Sequence, residues 1–119
     1  MKTFKLHLIR HGMTAGNLQG LYIGSGTDLP LCDEGRAQLA DLKERFAYPQ
    51  VDTVFSSPLL RAVETANILF PGAAHQFTVH DLREAGFGKF EGRPVKDLVH
   101  DEDFKKWITP GSGYLPEGA

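Results

Sequence analysis

Three short polar clusters in this chain carry residue types that could grip an anion and attack it. Arg10 and His11 follow the apolar run at residues 4–9, Ser56, Ser57 and Arg61 follow residues 51–55, and Arg83 and Glu84 follow residues 77–80. An imidazole can serve as nucleophile or base, and a carboxyl group can hand a proton to a leaving oxygen. A guanidinium presents a planar fork of donors that matches phosphate oxygens with paired, charge-assisted hydrogen bonds. Together these make a site for a phosphoryl group. Each residue taken singly has a plainer reading: a lone histidine at a strand end is usually structural, and a lone arginine on a helix is usually solvated. Convergence is what gives them chemical meaning.

The elements that must bring them together can be read from periodicity. Residues 4–9 form a strand pattern with Phe4, Leu6 and Leu8 on one face, and a glycine-punctuated polar loop then runs to about Pro30. Leu39, Leu42 and Phe46 recur at helical spacing, which predicts a helix over 33–46. Residues 51–55 read as a second strand, buried on both faces. Ser57 and Pro58 suit a helix start, and that helix runs to about Phe70 before Pro71 and Gly72 stop it. Phe77 to His80 is a weaker third strand. Residues 94–108 hold one or two short helices anchored by Val95, Leu98, Phe104, Trp107 and Ile108, and turn chemistry fills 109–119. This β-α-β-α-β order predicts an α/β fold with a mainly parallel sheet. Parallel sheets present ligands at the carboxyl ends of their strands, so all three polar clusters fall at one end. Arg61 then lies in the first turn of its helix, where the dipole also favours an anion.

Composition narrows the partners. The chain has 119 residues, 41% hydrophobic and 24% charged, with a formal net charge of −2. That balance argues against broad electrostatic binding to nucleic acid or an anionic membrane. No apolar run approaches the ~20 residues a membrane span requires, and the first residues lack the apolar core of a signal peptide. A single cysteine, Cys32, excludes an internal disulfide framework. A cytoplasmic location is the expectation. The carboxylates show no metal-ligand spacing, so neither metal nor cofactor is expected.

Four segments together resemble the histidine phosphatase (phosphoglycerate mutase-like) superfamily. Arg10-His11-Gly12, then Thr14 and Asn17, resembles its signature, and Asp28-Leu29-Pro30-Leu31 with Gly35 resembles the lead-in to its first helix. Ser56-Ser57-Pro58-Leu59-Leu60-Arg61-Ala62 with Thr65 and Ala66 resembles its second block, and Leu82-Arg83-Glu84 with Gly88, Phe90, Glu91 and Gly92 its third. The resemblance implies a three-layer α/β/α fold and a phosphohistidine formed on His11. It further implies that Arg10, Arg61 and Asn17 hold the phosphoryl oxygens, and that Glu84 protonates the leaving oxygen and later activates water. Guanidinium groups would supply the charge that a metal might otherwise provide. A small phosphorylated metabolite is the implied partner. The compact turn at residues 87–92 resembles small phosphatases, and Tyr22-Ile23-Gly24 leading to Thr27-Asp28 resembles alpha-ribazole phosphatases, with Ser25-Gly26 a departure. Phosphoglycerate mutase is the alternative enzyme.

Other departures shape the expectations. The second catalytic histidine of the family, in a strand-end His-Gly, has no counterpart: His7, His75, His80 and His100 all precede other residues. The strand that carries it lies, by the resemblance, between the first and second strands here, which leaves a gap in the sheet. The expectation is one truncated domain over 1–119, incomplete at its C-terminus, with 93–119 a lid-like segment and an unfinished loop. Such a chain would bridge the gap by pairing its strands directly or by self-association, and its activity alone would be weak. An inactive phosphate-binding or interaction fragment is therefore the rival from a different class. Cys32 stands where the family often caps its helix with threonine, and Asp33 is expected to take over that cap.

Overall fold

A strand exists only through the N–H and C=O groups of a neighbour, and this decides the start of the chain. In a computed structural model describing residues 1–119, residues 1–10 lie exposed and form no strand. The strand expected over 4–9 is thus not formed, because no other strand runs beside it. Its alternating apolar residues remain, with Phe4 88% and Leu8 87% exposed.

The loop to Pro30 contains one turn of helix, α1 (Ala15–Leu18), capped by Thr14. Helix α2 (Asp33–Arg45) follows. Its N-cap is Cys32 itself, whose Sγ accepts from the Gly35 N–H at 3.3 Å while its thiol donates to the Met13 carbonyl at 3.4 Å. The expected takeover by Asp33 does not occur. Asp33 and Glu34 instead sit in the first turn, with Lys43 and Arg45 in the last, both favourable to the helix dipole. A Cβ at Gly35 would fall on the Met13 carbonyl oxygen, so only glycine lets the segment after His11 lie against α2.

Strand β1 (Thr53–Ser56), helix α3 (Leu60–Leu69) and strand β2 (His75–Thr78) form the centre of the fold. The strands pair in parallel, Thr53 opposite His75 through Ser56 opposite Thr78. The fold is mixed α/β with a parallel sheet, and two of the three expected strands make it. Helix α3 starts later than expected. Ser57 does not cap it; the Leu60 N–H donates to the Asp28 carboxylate at 2.8 Å, a cap delivered from a distant loop. Helix α3 packs between α2 and β1, and Leu31, Leu39 and Leu69 form the core there. On the other sheet face Phe55 and Phe77 stack with ring centroids 5.6 Å apart, 60% and 52% exposed.

Two 3-10 turns (His80–Leu82 and Gly88–Phe90) lead to α4 (Val95–Leu98) and α5 (Glu102–Ile108). Here Phe87, Phe90, Leu98 and Phe104 build a second core, with Tyr22 stacked on Phe87 at 4.1 Å. Phe104 and Trp107 belong to this packing, and the Trp107 indole N–H donates to the Tyr22 hydroxyl at 3.1 Å. The chain exposes 8219 Å², against about 6,400 Å² for a compact protein of this length. Its radius of gyration is 16.6 Å, against about 13.5 Å. No helix is long and apolar enough to cross a membrane.

The second core and the open sheet face should respond differently to truncation. Phe90→Ala, at a fully buried ring, is expected to cost about 3–5 kcal/mol in urea denaturation. Phe77→Ser is expected to cost less than about 1 kcal/mol and to lower binding of an apolar dye, because its ring is half in water already.

Candidate active site

His11 ends the extended N-terminal segment, half-buried, with Nδ1 2.6 Å from the Gly12 carbonyl oxygen. A carbonyl can only accept, so Nδ1 carries the proton of the neutral ring and Nε2 keeps its lone pair. The Gly12 N–H donates to Thr65 Oγ1 at 2.9 Å, and that hydroxyl donates to the Arg61 carbonyl one turn earlier at 2.7 Å. Thr65 is 4% exposed. One buried hydroxyl thus fastens the His11 backbone to the helix that carries Arg61.

Arg61 is 4% exposed. Its guanidinium donates to the Thr27 carbonyl at 2.9 Å and the Gly24 carbonyl at 3.3 Å. Neither acceptor carries a formal charge, and no carboxylate pairs with the group. Two of its five N–H groups are used and three remain. The nearest acid on the same helix, Glu64, is engaged elsewhere, accepting from Arg36 at 3.0 Å and from the Leu31 N–H at 2.7 Å.

The other expected residues are held less firmly. Asn17 Oδ1 accepts from the Thr14 N–H at 2.9 Å and the Thr14 hydroxyl at 3.1 Å, while Thr14 accepts from the Asn17 N–H. This reciprocal cap leaves the Asn17 side-chain NH₂ free to donate. Arg10 is exposed and forms no hydrogen bond. Glu84 is exposed and accepts only from its neighbour Ala85, at 3.0 Å. The Ala85 carbonyl accepts from the Ser25 N–H at 3.1 Å, which brings this segment beside the loop that holds Arg61. A cleft of about 690 Å³ opens there, lined by Ser25, Gly26, Arg83, Phe87 and Glu91 among others. The structure therefore links His11, Thr65, Arg61 and residues 24–27 through hydrogen bonds, and leaves Arg10 and Glu84 exposed outside that network.

Two residues of this network had no role assigned from sequence, Thr65 and Glu91. Thr65 was legible as a hydroxyl four residues after Arg61 on the inward face of an apolar helix. Glu91 had only its place between two glycines of a tight turn. Its carboxylate accepts from the N–H groups of Gly24, Gly26 and Phe87 at 3.0, 3.0 and 3.2 Å and from the Thr27 hydroxyl at 2.8 Å. Burial opposes its ionisation, yet these donors outweigh burial and hold the carboxyl below its ordinary value of 4.5.

A histidine at the end of an extended segment is thus joined through one hydroxyl to a buried guanidinium, on a mixed α/β frame with a parallel sheet. The sequence matches the histidine phosphatase superfamily (branch 1) over residues 6–119, and the chain belongs to that family. It is 39% identical to fructose-2,6-bisphosphatase TIGAR B of Danio rerio, over 98% of this chain and 49% of that one. It is 34% identical to an adenosylcobalamin/alpha-ribazole phosphatase of Salmonella typhimurium, over 94% of this chain and 56% of the relative. Its fold matches phosphoserine phosphatase from Entamoeba histolytica, solved with 3-phosphoglyceric acid, with a TM-score of 0.71 and 27% identity. That match covers 92% of this chain and 54% of the other. The chain thus spans about half the length of the relatives it matches.

The network makes two measurable demands. Thr65→Val removes the acceptor for a buried N–H, so a loss of about 1–3 kcal/mol in urea denaturation is expected. A carboxyl depressed on folding contributes stability that is complete above its ordinary value and disappears as the pH falls through its lower folded value. Asp101, hydrogen-bonded by Phe104, and Asp103, by Lys89, are depressed too, so wild type must be compared with Glu91→Gln. Acidification from about pH 6 to about pH 3.5 should lower the wild-type melting temperature more steeply than that of the variant.

Proposed function

We propose that this chain carries the nucleophile and phosphate-binding side of a phosphomonoester hydrolase that works through phosphohistidine. The observation that carries this reading is Arg61, a buried guanidinium with spare donors and no acid paired to it. A buried charge without a partner is costly, and an anion relieves the cost. Its helix is pinned beside His11 by Thr65, and the His11 ring is oriented with Nε2 free to attack.

In the first step Nε2 forms a bond to phosphorus as the phosphorus–oxygen bond to the leaving alcohol breaks. Arg61, Arg10 and the Asn17 NH₂ would neutralise the three equatorial oxygens as charge spreads over them. Glu84 would protonate the departing oxygen and then accept a proton from the water that releases inorganic phosphate. The substrate is a small phosphate monoester, with alpha-ribazole phosphate the first compound to assay, because the residues that suggested it, Tyr22 to Asp28, form the loop beneath Arg61.

Phosphohistidine trapping tests the reading. After incubation with an activated aryl phosphate and rapid denaturing quench, the wild-type chain should carry an acid-labile phosphoryl group that His11→Ala lacks. Arg61→Ala should slow labelling by about 10²–10³-fold. Label that forms and turns over supports the hydrolase, and label that persists assigns a chain able to form but not resolve the intermediate. An unlabelled wild type would favour a binding module and overturn the enzymatic reading.

A further inference from the structure

The Arg61 guanidinium owes its position to the backbone carbonyls of Gly24 and Thr27. Something must hold those carbonyls still, because a polar loop has many conformations and each costs entropy to exclude. The loop has little apolar anchorage of its own at Ser25, Gly26 and Thr27. It is instead gathered from the opposite side by one carboxylate. Glu91 takes the N–H groups of Gly24 and Gly26 and the hydroxyl of Thr27, and also the N–H of Phe87 in the aromatic core.

Close approach makes this possible. A Cβ at Gly24 would lie 2.6 Å from Glu91 Oε1 and would also strike the Ala85 carbonyl, and one at Gly26 would lie 3.1 Å from the same carboxylate. The loop therefore hands its donors to an anion on one side and its acceptors to a cation on the other. Glu91 itself forms no ion pair, and every donor it receives is neutral. It sits in the turn packed against Phe87, Phe90 and Phe104, so it couples the second core to the phosphate site.

We infer that Glu91 is a positioning residue for the phosphoryl site, acting through the 24–27 loop to aim Arg61. This rests on the reading of Arg61 as a phosphate ligand. It gives residues 87–108 a stated part in the chemistry although they supply no group that reacts. Glutamine at 91 is nearly isosteric but turns an NH₂ toward backbone donors, so whichever way the amide lies at least one of the four hydrogen bonds is replaced by repulsion and the charge that strengthens the others is lost. The loop then loses the arrangement that both carbonyls require.

The test has a ligand-independent arm and a ligand-dependent one, both on the full chain. In nitrogen-15 NMR, hydrogen-bonded guanidinium N–H groups of Arg61, assigned with Arg61→Ala, should exchange slowly in wild type. Glu91→Gln should abolish that protection while amide signals of α2 and of the Leu31–Leu39–Leu69 core stay in place. An unchanged Arg61 signal overturns the inference. In phosphorus-31 NMR titration with inorganic phosphate, Glu91→Gln should weaken binding by up to about 10²-fold. It should add nothing when Arg61 is already alanine, since residues acting as one unit are not additive. A full effect of Glu91→Gln in the Arg61→Ala background would mean that it acts by another route, and would also overturn the inference. If wild type binds no phosphate and Arg61→Ala changes nothing, the phosphate-site reading fails, while the guanidinium signal still decides whether Glu91 aims Arg61. Should Glu91→Gln not fold, Thr27→Val removes one donor and leaves the carboxylate. It should produce a smaller loss in the same two signals, and no change in either would count against the inference.

Discussion

A positive charge in the interior with no negative charge beside it is the constraint around which this structure is organised. Arg61 has left water almost completely, yet its guanidinium rests on two carbonyl oxygens. Carbonyl dipoles compensate a cation only in part. The local architecture follows from keeping that group buried, aimed and free of a counter-charge. Helix α3 carries it, the 24–27 loop lies under it, and Asp28 at the end of that loop caps the helix on which it stands.

Two polar relays then tie the cation to the rest of the chain. Thr65 reaches from α3 to Gly12 and fixes the backbone beside His11. Glu91 reaches from the aromatic core to the loop beneath Arg61. Neither relay involves a residue that would touch substrate. Both use buried or half-buried side chains whose hydrogen-bonding capacity is met within the protein, which makes them rigid. Arg10 and Glu84 lack such support, and each stands in water. The structure is therefore held firmly around His11 and Arg61, and loosely at Arg10 and Glu84. Relatives in the family are about twice as long as this chain, and Phe4, Leu8, Phe55 and Phe77 are exposed in it.

Much of this was readable from the order of residues because it depends on local chemistry. A helix over 33–46 follows from apolar spacing and appears as Asp33–Arg45. The β-α-β centre and the role of Phe104 as core follow from the same patterning, and the one or two short helices expected over 94–108 are two. Family membership rested on motifs in the right sequence, and the family match over 6–119 agrees with it. The errors share one cause. The residues at 4–9 have an excellent strand pattern, but a pattern cannot provide the neighbour that a strand must bond to. Ser57 has the chemistry of a cap, but Asp28 arrives first through the tertiary fold. Cys32 looked too weak to cap, but Met13 and Gly35 lie close enough for sulfur to serve both.

By itself, then, the sequence indicated which residue types could do phosphoryl chemistry, and it determined the helix that carries Arg61 and most of the central elements around it. Those properties depend on side-chain type and on spacing along the chain, which neighbours a few residues away suffice to express. Only the tertiary structure decided that Arg61 is buried without a counter-charge, that Thr65 joins its helix to the backbone beside His11, and that Glu91 accepts from the loop beneath Arg61. These are contacts between segments 34 to 67 positions apart. No local pattern encodes them, since each exists only when separate elements pack closely enough to shut out water.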